Sequence, residues 1–321
     1  MTKIKKISKS NEMKKSMHKT MSYIPLRDGE KMNVICIGKG EPVVLVHGFG
    51  SCAAHWLANI LPFIHQYRFY LPDLRGFAGS HASKIPQSSV FETYAHDLED
   101  LFNHFQLENI SLGGISTGAY TCLTYNHIYG FDRIKKYLNI EHGPDSKNSL
   151  GKSDGLFGAQ QERIFTGFKH LRTITAPYTE STPYWELPAH IRLELRNTFM
   201  ALIRRALNRS FSRRVVEFSA QYGEPLLTQY MFAVENWHTY LDIMDSFVEG
   251  GDRRPSLSKI QVPTTLMIGQ HSRYFEPETQ LEMAKYIPNS KVVMFEKSGH
   301  ILPVDQPVKF QREFAQFLLT K

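Results

Sequence analysis

The sequence predicts a mostly parallel α/β sheet interrupted by an all-helical insertion, and three observations carry that reading. Apolar runs of strand length at Pro42–Val46, Asn109–Ile115 and Val292–Phe295 each lead into a glycine-bearing segment: His47-Gly48-Phe49-Gly50, Ser116-Thr117-Gly118 and Ser298-Gly299-His300. Strand-like and helix-like stretches alternate around them, the pattern of parallel strands joined by crossover helices. From Gly143 that alternation stops, and helical spacing takes over until about residue 255.

At 321 residues, with 42% hydrophobic and 21% charged, the chain can bury one large core and a smaller accessory domain. The net charge of +7 does not describe a basic face: residues 1–20 hold seven lysines against one glutamate, so most of the excess is a tail. No nucleic-acid partner is expected. The tail has Ile4, Ile7, Met13 and Met17 at roughly helical spacing, but four modest apolar residues bury little area, and membrane contact through it is not expected. There is no run of 18 apolar residues and no continuous apolar core of a signal peptide near the start, so a cytoplasmic protein is expected. Cys36, Cys52 and Cys122 are scattered, without a C-x-x-C pair, which indicates neither a disulfide framework nor a zinc site. Neither a metal nor a cofactor is expected.

In chain order, Ser22–Leu26 and Met32–Ile37 read as a hairpin around Arg27-Asp28-Gly29, followed by the strand Pro42–Val46. Cys52–Gln66 carries Trp56, Ile60, Leu61 and Ile64 at helical spacing and predicts a helix. Arg68–Leu71 is the next strand. Val90–Phe105, with Phe91, Tyr94, Leu98, Leu101, Phe102 and Phe105 on one side, is an amphipathic crossover helix. After the strand Asn109–Ile115 come a helix over Thr117–Ile128 and a strand over Ile134–Ile140. The insertion shows helical stretches at Gln160–Lys169, His190–Ala206, Arg213–Gln221 and Gln229–Phe247. It offers Phe157, Phe165, Tyr178, Tyr184, Trp185, Phe199, Met231, Phe232 and Trp237 as apolar pocket candidates, of which Trp185 and Trp237 are the ones put forward. Arg204, Arg205, Arg209, Arg213 and Arg214 form a basic cluster, read as a solvated helix face, with a site for an anionic substrate as the alternative. The chain closes with strands at Thr264–Ile268 and Val292–Phe295 and a helix over Val308–Leu319.

The chemistry centres on Gly114-Ile115-Ser116-Thr117-Gly118, a match to G-x-S-x-G between a strand and a helix. Glycines two before and two after the serine let strand and helix approach without a Cβ clash, which lifts the hydroxyl onto an exposed tip. The Thr117 amide opens the helix and faces the same space as the hydroxyl, so it can donate to an oxyanion.

With these residues, the His47–Gly50 loop and Ser298-Gly299-His300, the chain resembles α/β-hydrolase fold proteins that carry a helical cap. The resemblance covers about residues 21–145 and 256–321 and implies a division into a tail (1–20), that core, and a cap (146–255). It implies a serine nucleophile, an acid and a histidine in that chain order, with two backbone donors for the oxyanion. Ser116 would be the nucleophile and His300 the base. The donors would be the N–H groups of Phe49 and Thr117, with the Phe49 ring lining the acyl pocket. His47 is expected to support its loop, and Asp73 and Arg75 to pair with each other and hold the next one.

One departure matters. Where the family usually keeps its acid, this chain reads Gly269-Gln270-His271-Ser272-Arg273, and a serine cannot hold an imidazolium by charge. A relocated acid, a Ser-His dyad, or a non-catalytic ligand-binding protein would each account for this. Glu141 is the acid put forward, as in certain haloalkane dehalogenases that place a glutamate there; Asp145 is the alternative. Dehalogenase and epoxide-hydrolase chemistry is not expected, since both use an aspartate nucleophile. The expected activity is a serine hydrolase taking a small-molecule ester, thioester or lactone, with an acyltransferase sharing every residue as the runner-up. Removing residues 1–20 is expected to leave turnover of a soluble ester unchanged; a large fall in kcat would show that the tail packs on the folded part.

Overall fold

Apolar residues on alternate sides of each strand build the sheet. The computed structural model describes residues 20–86, 89–208 and 237–320. Its strands are β1 (Thr20–Pro25), β2 (Lys31–Gly38), β3 (Glu41–Val46), β4 (Tyr67–Pro72), β5 (Ile110–Ile115), β6 (Ile134–Ile140), β7 (Thr264–Gly269) and β8 (Ser290–Phe295). They form one sheet in the order β1-β2-β4-β3-β5-β6-β7-β8. The pairs β1/β2 and β2/β4 are antiparallel, and every pair from β4 to β8 is parallel. The longer helices are α1 (Val90–His104), α2 (Thr117–Tyr129), α3 (Gln161–Thr175), α4 (Ala189–Ala206), α5 (Trp237–Glu249), α6 (Pro277–Tyr286) and α7 (Pro307–Leu319).

Both faces of the sheet are covered, as a parallel sheet requires. Val44 and Val46 of β3 join the core containing Phe91, Leu98 and Phe102 of α1. Val43 and Leu45 point the other way, into the core with Phe310 and Phe314 of α7. The insertion between β6 and β7 contributes α3, α4 and α5 to the first of these faces, and Arg172 of α3 holds Asp242 and Asp245 of α5 at 2.6 Å each. Among the described residues no helix is long and apolar enough to cross a membrane.

The parallel ladder sets where the strands stop. Val46 pairs with Gly114, Ile115 with Ile140, Ile140 with Met267, and Gly269 with Phe295. The residues just beyond these ends therefore gather along one edge, among them His47, Ser116 and Glu141. The Ser116 amide still donates to Ile140 O (2.8 Å) and the Glu141 amide to Met267 O (3.1 Å), so both side chains leave from positions fixed by the sheet.

Several elements depart from the sequence expectation. Cys52–Gln66 is not one helix but a 3-10 turn (Ala53–Trp56), a single α-turn (Leu57–Ile60) and another 3-10 turn (Leu61–Phe63). Pro62 has no N–H to continue the ladder, and its ring conflicts with the carbonyl four residues back. The apolar spacing still works, since Trp56, Ile60 and Ile64 are buried beside α7. The helix α6, which the sequence reading lacks, opens on Pro277 with Glu278 in its first turn and buries only Pro277, Gln280 and Met283, a thin apolar signal. The stretch Arg213–Gln221, residues 229–236 of the last expected insertion helix, and the tail up to Lys19 lie outside the described residues, as do Arg209, Met231 and Phe232.

Asp73 and Arg75 do not pair with each other. Asp73 accepts from the Ala53 amide (2.7 Å), Asn33 Nδ2 (2.8 Å) and the Gly79 amide (3.1 Å). Arg75 forks onto Asp97 of α1 with two contacts of 2.7 Å and reaches Asp28 in the β1–β2 turn at 2.6 Å. Two residues apart at a turn, the side chains diverge, and each finds partners from other elements. Arg75 and Asp97 are nearly fully buried, and desolvation outweighs the guanidinium enough to push the Asp97 carboxyl up to about 6. Removing one partner of such a pair strands the other charge. Arg75→Met is expected to lower the unfolding free energy in urea by about 3–5 kcal/mol; a change under about 0.5 kcal/mol, the range of a surface substitution, would show that the pair is not structural.

Candidate active site

The turn between β5 and α2 is a strained point of the chain. Ser116 has φ 54° and ψ −123°, a conformation that costs a non-glycine residue about 1–3 kcal/mol. Its neighbours make the turn sterically achievable. A Cβ on Gly114 would lie 2.4 Å from Gly118 C and O, and one on Gly118 would lie 2.4 Å from Val46 O and 2.6 Å from His47 O. Only glycines let β5, α2 and the end of β3 come this close.

Ser116 Oγ lies 2.8 Å from His300 Nε2, and His300 Nδ1 lies 3.0 Å from Glu141 Oε2. A carboxylate accepts, so Nδ1 carries the hydrogen, and Nε2 is left to accept from the serine hydroxyl. Glu141 is fully buried, and its second oxygen accepts from the Gly269 amide (2.6 Å) and Gln280 Nε2 (3.2 Å). The two residues that orient it come from β7 and α6. Its backbone is left-handed, φ 58°, which turns the chain out of β6 toward the histidine. His300 is held by its own amide donating to Ala206 O (2.9 Å) and by Tyr274, stacked on the imidazole with centroids 4.1 Å apart at 12°.

The serine at the usual acid position and the alternative acid both lie away from the imidazole. Ser272 Oγ accepts weakly from the Tyr274 amide (3.4 Å) and makes no bond to His300. Asp145 accepts from the amides of Lys147 (3.0 Å) and Gly251 (3.2 Å) and pairs with Arg254 (3.5 Å).

The loop after β3 runs against the turn at Ser116. A Cβ on Gly48 would lie 3.2 Å from Ser116 Cβ, so the Phe49 amide follows a residue in contact with the serine. Neither the Phe49 nor the Thr117 N–H has a partner among the described residues. His47 locks the loop from below: it is buried, Nδ1 donates to Gly48 O (2.8 Å), and Nε2 accepts from the Leu74 amide (3.0 Å). Burial holds its pKa below the usual histidine value, against the pull of Asp73. Both ring nitrogens are committed, which makes it a support and not a base.

Ser116, Thr117 and Phe49 wall a cavity of about 20 Å³ together with His142, Tyr274 and apolar side chains from the insertion, Leu156, Phe157, Phe168, Leu202, Met244 and Phe247. Trp185 and Trp237 are not among its walls. Trp185 sits on a short turn at Tyr184–Glu186 and is 54% exposed among the described residues, with the Arg192 guanidinium over its ring. Trp237 is buried at 3%, its indole N–H donating to Thr182 O (2.9 Å), so it packs the insertion itself. His142, Tyr274 and Gln280 escaped the sequence reading; adjacency to Glu141 could have flagged His142, whereas nothing local marks the other two. Of the basic cluster, Arg204 and Arg205 wall an open groove of about 660 Å³ with Arg163 and Arg273, and Arg213 and Arg214 lie outside the described residues. Among the described residues no group of three or more His, Cys, Asp or Glu is placed to hold a metal.

Comparison with known proteins agrees with this architecture. A non-heme chloroperoxidase of Kitasatospora aureofaciens is 24% identical over 93% of this chain and 99% of its own. A carboxylesterase of Bacillus subtilis is 23% identical over 92% of this chain and 86% of its own. The structure of an esterase from Exiguobacterium antarcticum superposes with a TM-score of 0.71 at 20% identity, covering 94% of this chain and all of that one, a likeness of fold. The profile of the alpha/beta hydrolase fold family matches residues 41–307, most of the chain, and the protein belongs to that family.

Proposed function

We propose that the protein is a serine hydrolase that cleaves a carboxylic ester, thioester or lactone through an acyl-enzyme on Ser116. The observation that carries this reading is the unbroken chain Ser116 Oγ, His300, Glu141, at 2.8 and 3.0 Å, with the histidine tautomer set by a buried carboxylate.

His300 Nε2 takes the serine proton as Oγ attacks the acyl carbon, and the developing oxyanion is met by the Phe49 and Thr117 amides. The imidazolium returns its proton to the leaving alcohol or thiol as the C–O or C–S bond breaks. Water, deprotonated by the same histidine, then attacks the acyl-serine, and as the acyl–Oγ bond breaks the imidazolium returns that proton to Ser116 Oγ and the acid is released. Glu141 keeps Nδ1 protonated and balances the imidazolium in both halves. Its two further donors orient it without drawing it off the histidine. The described part of residues 146–255 acts as the cap, since Leu156, Phe157, Phe168, Leu202, Met244 and Phe247 wall the cavity above Ser116. The non-catalytic alternative rests on Ser272 standing where an acid is expected, and Glu141 at 3.0 Å from the histidine favours the hydrolase.

Ser116→Ala is expected to abolish p-nitrophenyl ester turnover and labelling by an activated fluorophosphonate, with an unchanged circular dichroism spectrum. Labelling at the wild-type rate would remove Ser116 as nucleophile. Glu141→Gln keeps the shape but not the charge, and kcat on the same ester should fall by about three to four orders of magnitude. Ser272→Ala should cost under about tenfold, the scale of one neutral hydrogen bond; near-wild-type activity in Glu141→Gln would leave a dyad.

A further inference from the structure

The two hydrogen bonds that orient His300 leave one of its motions open. Nδ1 meets Glu141 and Nε2 meets Ser116, and both nitrogens lie on the edge of the ring. Bonds made at the edge direct the imidazole within its plane but resist tipping about the line between the two nitrogens only weakly. Tyr274 closes that motion: its ring lies nearly parallel on the imidazole, with centroids 4.1 Å apart at 12°. Tyr274 is itself held by the insertion. Its hydroxyl donates to Leu202 O of α4 (2.9 Å), its carbonyl accepts from the Phe157 amide (2.5 Å), and the Phe157 ring meets it at 5.2 Å and 55°. Arg205, also on α4, donates to the carbonyl of the preceding residue, Arg273 (3.0 Å). Burial pushes the phenol up, against the pull of Arg205, so the ring stays a neutral phenol at working pH. The loop after β7, where Ser272 stands in the usual place of the acid, thus supplies the base with a ring two residues on.

We propose that Tyr274 is a positioning residue for His300: its face sets the plane of the imidazole and stabilises the imidazolium that forms as Ser116 is deprotonated. A cation within about 6 Å of a ring centroid is attracted by the negative face of the ring, and more strongly where water is excluded. His300 meets both conditions, being only 6% exposed. The neutral imidazole gains less from the same face, so the contact strengthens as the proton arrives, which is what accelerates a step. Glu141 acts at one edge of the imidazolium and Tyr274 on its face, so the two contributions are geometrically separate. The other titratable groups around His300 among the described residues are His142, which burial pushes down to about 3 and so keeps neutral, and Asp305, which accepts from the Gly299 amide (2.8 Å). Substitution at Tyr274 leaves both in place.

The inference rests on the serine-hydrolase reading, and the test separates the two. The probe is an activated fluorophosphonate, whose labelling rate depends on Ser116 and its base and not on the natural substrate; turnover of p-nitrophenyl acetate is followed beside it. Both rates are measured against pH on the full chain, on Tyr274→Phe and on Tyr274→Leu. The acid limb of such a profile marks protonation of the base, and a face that favours the cation places the limb at higher pH. Tyr274→Leu removes the face and keeps the site apolar. It is expected to move the limb down by about 0.4–1.5 pH units and to lower the plateau about two- to thirtyfold. Tyr274→Phe keeps the face and loses only the bond to Leu202 O, so its limb should stay within about 0.2 unit of the wild type. On a wild type that labels, a fall in rate with no movement of the limb would make Tyr274 a cavity wall only and overturn the inference alone; so would unchanged profiles. A limb that moves up, the mark of an imidazole opened to water, would overturn it too. If Tyr274→Leu does not fold, replacing Tyr274 by pentafluorophenylalanine, which keeps the ring and reverses the charge of its face, decides by the same limb. A wild type that neither labels nor turns over the ester would bring down both readings.

Discussion

A buried carboxylate organises the candidate site. Glu141 has no exposed surface, and burying an ionised carboxylate is tolerable only where donors replace the lost water. Three donors do so: the Gly269 amide at the end of β7, Gln280 on α6, and His300 Nδ1 beyond β8. One side chain therefore ties together three segments that follow one another along the sheet edge. The close approach at Gly269 belongs to the same constraint, since a Cβ there would lie 2.1 Å from Gly299 O. Without a glycine, the histidine loop could not lie against the end of β7.

The serine side is held by a different set of forces. Its turn is strained, and the strain is sustained by backbone packing between Gly114, Gly118 and the end of β3, and by the Ser116 amide completing the ladder to Ile140. Beneath it, His47 and Asp73 spend their side chains on backbone amides, of Leu74 in one case and of Ala53 and Gly79 in the other. These bonds immobilise loops that would otherwise leave their amides to water. Arg75 anchors the second loop to α1 and to the β1–β2 turn. The result is a loop cluster whose amides are positioned by the fold, which is the condition the proposed oxyanion role requires.

The insertion does more than roof the cavity. Near the end of α4, Ala206 O accepts from the His300 amide and Leu202 O from the Tyr274 hydroxyl, while the Tyr274 ring stacks on the imidazole. The last carbonyls of a helix have no partner within it, and here one of them holds the loop that bears the histidine. Phe49 completes the link, its ring meeting Tyr240 of α5 at 5.0 Å and Phe199 of α4 at 6.3 Å. Movement of α4 would therefore be felt at both Phe49 and His300.

Much of this was legible in the chain itself, and the reason is locality. Strand and helix identity follow from apolar periodicity over ten or fifteen residues, so the alternation through β3 to β6, the helical insertion and the return at β7 and β8 could be read directly. Ser116 is marked by glycines two residues away on either side, and His300 by the glycine before it. The proposal of Glu141 needed only the position after a strand end beside β5. What depends on residues far apart in sequence was not written in any window. Asp73 and Arg75 looked like a pair because they are neighbours, yet partners such as Ala53 and Asn33 of the one and Asp97 and Asp28 of the other lie 20 or more residues away, and only folding brings them near. Trp185 and Trp237 looked like pocket walls because they are large and apolar, a property that does not say which way a side chain faces. Gln280 and Tyr274 became meaningful only in three dimensions, because a contact made across the sheet edge is a property of the fold.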